Sequence, residues 1–300
     1  MDTVQLTALK ARVPRWALDG LNTASRLGGL ATAADRPMPD FLVIGTKRGG
    51  TTSLFNYMVQ HPGVLALYPQ PRGRKSTDHW FANSGTSQRW YRSHFHTETY
   101  RRLRRTRLGY RPQSFEASPY YVWDPRIPAR VAAAAPATKS ILLVRDPVQR
   151  AWSHYQERVQ NGVEPLSFDE ALALEDERLD GELAAMLADP TYHSTTWDWY
   201  SYRSRGEYLS QIQTWLEHFP RSQLLVLPSE RLYSDTQGTF DRICEFLGLP
   251  PHRLPTTKPY NATWRTKDAP PTSAATQLAT HYQSHNAALE AFLGEPLDWT

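Results

Sequence analysis

Three short apolar runs punctuate the chain: Phe41–Gly45 (FLVIG), Ser140–Val144 (SILLV) and a third within residues 223–232 (QLLVLPSERL). Unbroken runs of this length, rich in Val, Ile and Leu, predict strands buried on both faces, the condition of a parallel sheet. Segments of helical period flank them. Leu54, Phe55, Met58 and Val59 recur on one face between Thr51 and His61, and HPGV stops the pattern. After the second run, Asp146-Pro147 starts a helix with proline in its first turn, and Asn161-Gly162 ends it. YLSQIQTWLEHF precedes the third run and TQGTFDRICEFLGL follows it; Thr272–Leu293 closes the chain as a further helix. This order predicts an α/β fold of P-loop-like type, three layers (α/β/α) around a central parallel sheet, in a single domain.

Residues 1–38 read as an N-terminal extension and 39–300 as the domain, with an acidic, then aromatic, helical insertion at about 164–202. In the extension, Leu6, Leu9, Val13, Leu18 and Leu21 stand among Lys10, Arg12 and Arg15, a short basic amphipathic helix suited to peripheral membrane contact or to packing on its own domain. No run approaches the roughly 20 apolar residues of a membrane span, and no leader pattern opens the chain, so a soluble cytoplasmic protein is expected. A net charge of +4 fits an anionic ligand but is too small to imply nucleic acid. Cys244 is the single cysteine, which excludes a disulfide framework and a cysteine metal site.

The first strand runs into GTKRGGTTSL. Gly45 and Gly50 have the spacing of the nucleotide-binding pattern G-x-x-x-x-G-K-[ST], yet Thr51 and Thr52 follow, so Thr51 stands where the lysine is required. The lysine, Lys47, lies inside the loop. Backbone N–H groups of a glycine-rich turn and the following helix N-terminus form an anion site. Gly49 and Gly50 permit close approach, Thr51, Thr52 and Ser53 add hydroxyls, and Lys47 and Arg48 add full charges. A lysine ahead of the glycines lies beside the terminal group, where it stabilises a leaving oxygen. No strand-end aspartate of the magnesium-binding kind appears, so no metal is expected. Arg145 ends the second strand, where open α/β sheets bind ligands, and Ser153 lies about two turns into the next helix. Together they form a clamp for a second phosphate.

GTKRGGTTSL and LLVRDPVQRAWSHY, in that order, resemble the PAPS-dependent sulfotransferases (PAPS, 3′-phosphoadenosine 5′-phosphosulfate), nearest the branch of heparan-sulfate-type and soluble bacterial enzymes. FEASPYYVWDPRIPARV, YLSQIQTWLEHFPRSQLLVLPSERL and FDRICEFLGLP extend the likeness over residues 40–294, interrupted at 165–200. The resemblance implies in-line sulfuryl transfer from PAPS to an acceptor hydroxyl without a metal, leaving 3′-phosphoadenosine 5′-phosphate (PAP). It assigns Lys47 to the bridging and sulfuryl oxygens, Arg48, Gly49, Gly50, Thr51, Thr52 and Ser53 to the 5′-phosphate, and Arg145 and Ser153 to the 3′-phosphate. NATWRTKD matches a cofactor-covering loop, which adds Arg265 and Lys267. The implied acceptor is a carbohydrate, glycolipid or other hydroxyl-bearing small molecule. A nucleotide kinase and a non-catalytic anion-binding protein are the competing classes; neither explains a displaced lysine together with two anion motifs after buried strands.

The general base is where the pattern departs. Glycan-modifying relatives place a glutamate where RKSTDHWF has Thr77, while His79 and Phe81 keep register. His79, Asp78 and Glu116 are therefore the candidates, with Asp78 and His79 expected on opposite faces of a strand. Lys75 is a candidate for the sulfuryl oxygens or a solvated lysine. The arginines of 101–111 read as a guide for an acidic acceptor or a solvated surface helix. Trp197, Trp199, Tyr200 and Tyr202 read as a ring-stacking platform or as packing under the insertion.

Overall fold

The protein is described by a computed structural model over residues 15–68, 74–260 and 269–299, so Leu6, Leu9, Val13, Arg265 and Lys267 lie outside the described residues. Five strands form one parallel sheet: β1 (Phe41–Gly45), β2 (Val64–Leu65), β3 (Gln113–Ala117), β4 (Lys139–Val144) and β5 (Leu224–Pro228), in the order β2-β3-β1-β4-β5. The described helices are α1 (Arg15–Ala31), α2 (Thr51–Met58), α3 (Gln88–Arg92), α4 (Glu98–Leu108), α5 (Ile127–Ala134), α6 (Pro147–Gln160), α7 (Phe168–Ala173), α8 (Glu175–Leu179), α9 (Glu182–Ala188), α10 (Thr195–Tyr200), α11 (Tyr208–Leu216), α12 (Ser229–Ser234), α13 (Thr236–Leu247) and α14 (Thr272–Leu293). No helix among the described residues is long and apolar enough to cross a membrane.

Strand alternation builds two cores. Leu42, Ile44, Leu142 and Val144 point to one face and meet Ile212 and Trp215 of α11. Phe41, Val43, Ile141 and Leu143 point to the other and meet Leu54 and Met58 of α2 and Phe240 and Ile243 of α13. The expected three layers follow, because both faces of an apolar strand need a cover. Phe41 stacks on Phe115 across β1 and β3, with ring centroids 4.7 Å apart. A third cluster, holding Phe168, Leu172, Tyr202, Leu278 and Tyr282, joins the insertion to α14.

β1 and β4 are neighbours, so their C-terminal loops lie side by side, and Thr46 N–H donates to Leu143 O across the gap (2.9 Å). That is where open α/β sheets present ligand sites.

Two expectations need correction, and one strand escaped prediction. The third apolar run is a strand only to Pro228, whose missing N–H ends the ladder, and the chain continues as α12. β2, two residues long, is too short to leave a periodic signal. Residues 74–78 form no strand: Asp78 sits at φ +56° and a turn follows, so the opposite-face argument for Asp78 and His79 fails. The extension's described part docks on the body, with Arg26 donating to Ser93 Oγ (2.9 Å) and Tyr68 O (3.1 Å). The arginine-rich stretch is α4 and the turn after it, and part of it is structural. Arg101 is fully buried against Asp40 (2.8 Å), and Arg111 bridges Asp40 and Glu98, while Arg102, Arg105 and Arg107 are exposed. The aromatic end of the insertion is largely packing: Trp197 stacks on Trp123 (4.7 Å) and Tyr202 is buried.

Leu143→Ala removes a fully buried side chain of β4 that touches the α2 and α13 layer. A loss of about 2–5 kcal/mol in urea unfolding is expected; a change under about 1 kcal/mol contradicts the two-core packing.

Candidate functional site

The loop after β1 is shaped by its own backbone. Gly49 N–H donates to Thr46 O (2.9 Å), Arg48 sits at φ +67° and Gly50, which precedes α2, at φ +91°. A Cβ on Gly49 meets Thr46 Cγ2 at 2.7 Å, and one on Gly50 meets the Tyr233 hydroxyl at 2.8 Å, so both positions require glycine. The first-turn amides of α2 have no partner within the helix and face the loop's mouth with the positive end of the helix. Gly49 is thus a packing residue; its amide is committed inside the turn.

The second motif closes on the first. The Arg48 side chain donates from Nε to Ser153 Oγ (2.9 Å), and the Arg48 carbonyl accepts from Arg145 Nη1 (3.1 Å). Tyr208 OH holds the Arg145 carbonyl at 2.7 Å. Asp146 caps α6, accepting from the Val148 (2.8 Å) and Gln149 (3.3 Å) amides. Ser153 is fully buried on α6.

The two motifs meet around one cavity of about 310 Å³. Lys47, Arg48, Gly50, Thr51, Thr52, Ser53, Arg145 and Ser153, all expected from the sequence, meet there with Lys75, Tyr120, Glu157, Tyr233 and Tyr260. Among the described lining residues four cationic side chains face one carboxylate, Glu157. The cavity is built for an anion.

Lys47 is 3% exposed, with Nζ 3.3 Å from Glu157 Oε2 and 5.1 Å from the centre of the Tyr120 ring. Burial pulls its pKa down to about 7 against the opposing pull of Glu157. Burial pushes the Glu157 carboxyl up, but Lys47, Arg158 and Arg48 outweigh it and hold the pKa below the ordinary value. Lys75 reaches Thr51 Oγ1 and Thr52 Oγ1, each at 3.0 Å, and burial lowers its pKa to about 8. Arg205, fully buried beneath Tyr120 (5.2 Å), adds positive potential from below. Ser53 Oγ donates to Tyr260 O (2.9 Å) and accepts from Tyr260 N–H (3.2 Å), fixing the chain just before residues 261–268.

Glu157 was not legible from motif reading. Its signal is spacing: it stands four residues after Ser153, one turn along the same helix face. Of the base candidates, none lines the cavity. Glu116 is fully buried and accepts four hydrogen bonds, from the Thr77 amide (2.8 Å) and hydroxyl (2.7 Å), Tyr91 OH (2.8 Å) and Tyr121 OH (3.0 Å). It organises the segment around Thr77, and burial raises its pKa. Asp78 is exposed and paired with the Ser76 hydroxyl (2.7 Å). His79 is mostly buried, stacked on Tyr91 (4.4 Å), with Nδ1 2.6 Å from Thr86 Oγ1; burial takes its pKa down to about 4.

Fold and site define an α/β protein with a cationic cavity across two adjoining strand-end motifs. Residues 38–264 match the family model described as Sulfotransferase domain. The chain is 33% identical over 218 residues to heparan sulfate glucosamine 3-O-sulfotransferase 3B1 of Mus musculus, covering 72% of this chain and 48% of that protein. It is 27% identical to bifunctional heparan sulfate N-deacetylase/N-sulfotransferase 4 of the same organism, covering 87% of this chain and 31% of that protein. The chain therefore spans about half the length, or less, of the curated relatives it matches. A crystal structure of a sulfotransferase from Alicyclobacillus acidocaldarius superposes with a TM-score of 0.62 at 27% identity, covering 87% of this chain and 97% of that one. This chain belongs to the sulfotransferase domain family.

Lys47 generates a pH prediction. Its folded pKa, about 7, lies below the ordinary 10.5, so between these values the unfolded chain holds more protons. Its penalty is therefore complete below about pH 7 and fades as pH rises toward 10. Lys47→Met is expected to gain stability over the parent chiefly at pH 6, with the gain shrinking by pH 10; a pH-independent difference in urea unfolding contradicts this.

Proposed function

We propose that the chain transfers the sulfuryl group of PAPS to a hydroxyl of a carbohydrate or other small-molecule acceptor. The observation that carries the reading is the joining of two anion motifs in one cationic cavity by Arg48 and Arg145. A doubly phosphorylated nucleotide fits that arrangement. The names of the heparan sulfate relatives support a carbohydrate acceptor.

When bound, PAPS supplies a sulfuryl group whose leaving 5′-phosphate gains negative charge as the bond breaks. Lys47 would neutralise that charge. Its ammonium form is disfavoured by burial, and a nearby anion restores it. Until then Glu157 holds Lys47. The amides and hydroxyls of Thr51 and Thr52, with Lys75 bonded to both hydroxyls, would hold the 5′-phosphate. Arg48, Ser153 and Arg145 would hold the 3′-phosphate, and Arg265 and Lys267 would cover the nucleotide from the loop. His79 stands outside the described cavity lining; as the base of this reading it would take the acceptor's proton on Nε2, since burial keeps it neutral and Thr86 engages Nδ1. A kinase reading is disfavoured: the lysine after Gly50 is missing, and Asp146 is spent on capping α6.

Three measurements test the proposal. PAP at about 100 times its Kd is expected to stabilise the fold by about 2.7 kcal/mol, well beyond ATP with magnesium at equal concentration. Arg145→Ala is expected to weaken PAP binding about tenfold or more, the loss of a charge-assisted phosphate contact. With labelled donor and a panel of heparan-type oligosaccharides, Lys47→Ala is expected to lower kcat by about 10²–10³, and His79→Ala to lower kcat with PAP affinity retained. Stabilisation by ATP with magnesium alone would reverse the assignment. Unchanged kcat in Lys47→Ala removes its catalytic role, and unchanged kcat in His79→Ala removes the base assignment.

A further inference from the structure

Away from the nucleotide cavity, Glu207, His281 and His285 converge, with one ligand atom from each lying within 4.8 Å of the others. His281 and His285 stand one turn apart on α14, so both rings project from the same side. Their centroids are 5.0 Å apart with the planes 33° from parallel. Glu207, just before α11, faces them across the helix junction, with Oε1 2.9 Å from His281 Nε2. All three side chains are half-buried, reachable by an ion yet partly stripped of water.

We propose that this trio binds a divalent transition-metal ion of the zinc class. Two imidazoles and one carboxylate form the donor set of a three-ligand zinc site with a fourth position for water. Hard cations such as magnesium and calcium prefer all-oxygen shells and are poor occupants. Bonds of about 2.0–2.2 Å in a tetrahedral shell bring donor atoms to within roughly 3.5 Å of each other. The His281–Glu207 pair already meets that spacing, and a small rotation of His285 completes it. An ion pair explains Glu207 and His281 without a metal, but not the second imidazole turned toward them.

The metal acts as a staple. It joins α14 to the start of α11 at a junction that backs the second anion motif. The neighbouring Tyr282 hydroxyl donates to Arg203 O (2.7 Å). A Cβ on Gly206 meets that hydroxyl at 2.5 Å and Pro147 Cβ at 2.9 Å, so α14, Gly206 and the first turn of α6 are in close contact. Arg145 lies two residues before Pro147.

The test uses the full chain without an affinity tag, stripped with chelator and titrated with zinc chloride by calorimetry and thermal melting. One equivalent of zinc is expected to bind and raise the melting temperature, whereas magnesium does neither. His285→Ala and Glu207→Gln are each expected to weaken zinc binding by about tenfold or more, the scale of a disrupted coordination shell. His285 makes only a ring contact in the described structure, so its removal leaves the zinc-free melting temperature close to the parent's. His218→Ala, an exposed histidine beyond α11, retains full zinc affinity. Absence of stoichiometric binding, or equal affinity in parent and His285→Ala, overturns the proposal.

Discussion

The two hydrogen bonds made by Arg48 are the constraint on which the site depends. From a left-handed backbone conformation its side chain reaches Ser153 on α6, while its carbonyl receives Arg145 from the end of β4. One residue thereby fixes the distance between an anion loop on β1 and an anion clamp on β4. The adjacency of β1 and β4 in the sheet makes the contact possible. Gly49 and Gly50, which follow it, keep the turn tight enough to use it. Without that coupling the chain would carry two unrelated phosphate-sized sites.

The second physical theme is the burial of positive charge. Lys47, Lys75 and Arg145 all lose hydration in the cavity, and in each case burial is the leading cause of a lowered pKa. Charges taken out of water destabilise the fold unless an opposite charge arrives. Glu157 is one carboxylate facing four cations, so an incoming polyanion gains the interaction that the fold leaves incomplete. In the proposed reaction the same reasoning links binding to chemistry: the group that most needs a counter-charge, Lys47, would be the one beside the developing charge of the leaving phosphate.

Much of this was legible in the residues. The five-residue apolar runs at 41–45 and 140–144 locate two strands, and the glycine spacing and strand-end arginine locate the two anion motifs. What stayed hidden depends on contacts distant in sequence. Arg48 bonds Ser153 across 105 positions, and no local pattern announces that. Glu157 looked like an ordinary polar helix residue until α6 was placed beside Lys47. Glu116 was named as a base candidate, but its four hydrogen bonds, which make it a buried organiser, come from residues 77, 91 and 121. The opposite-face argument for Asp78 and His79 failed because a segment with φ +56° at Asp78 was read as extended.

The central claim is a fixed orientation of one nucleotide across both motifs, and a crystal structure with PAP bound tests it most directly. The account predicts the 3′-phosphate between Arg48, Ser153 and Arg145, the 5′-phosphate on the Thr51 and Thr52 amides, and Lys47 turned from Glu157 toward it. A nucleotide bound in the reverse orientation, or outside this cavity, would contradict the account.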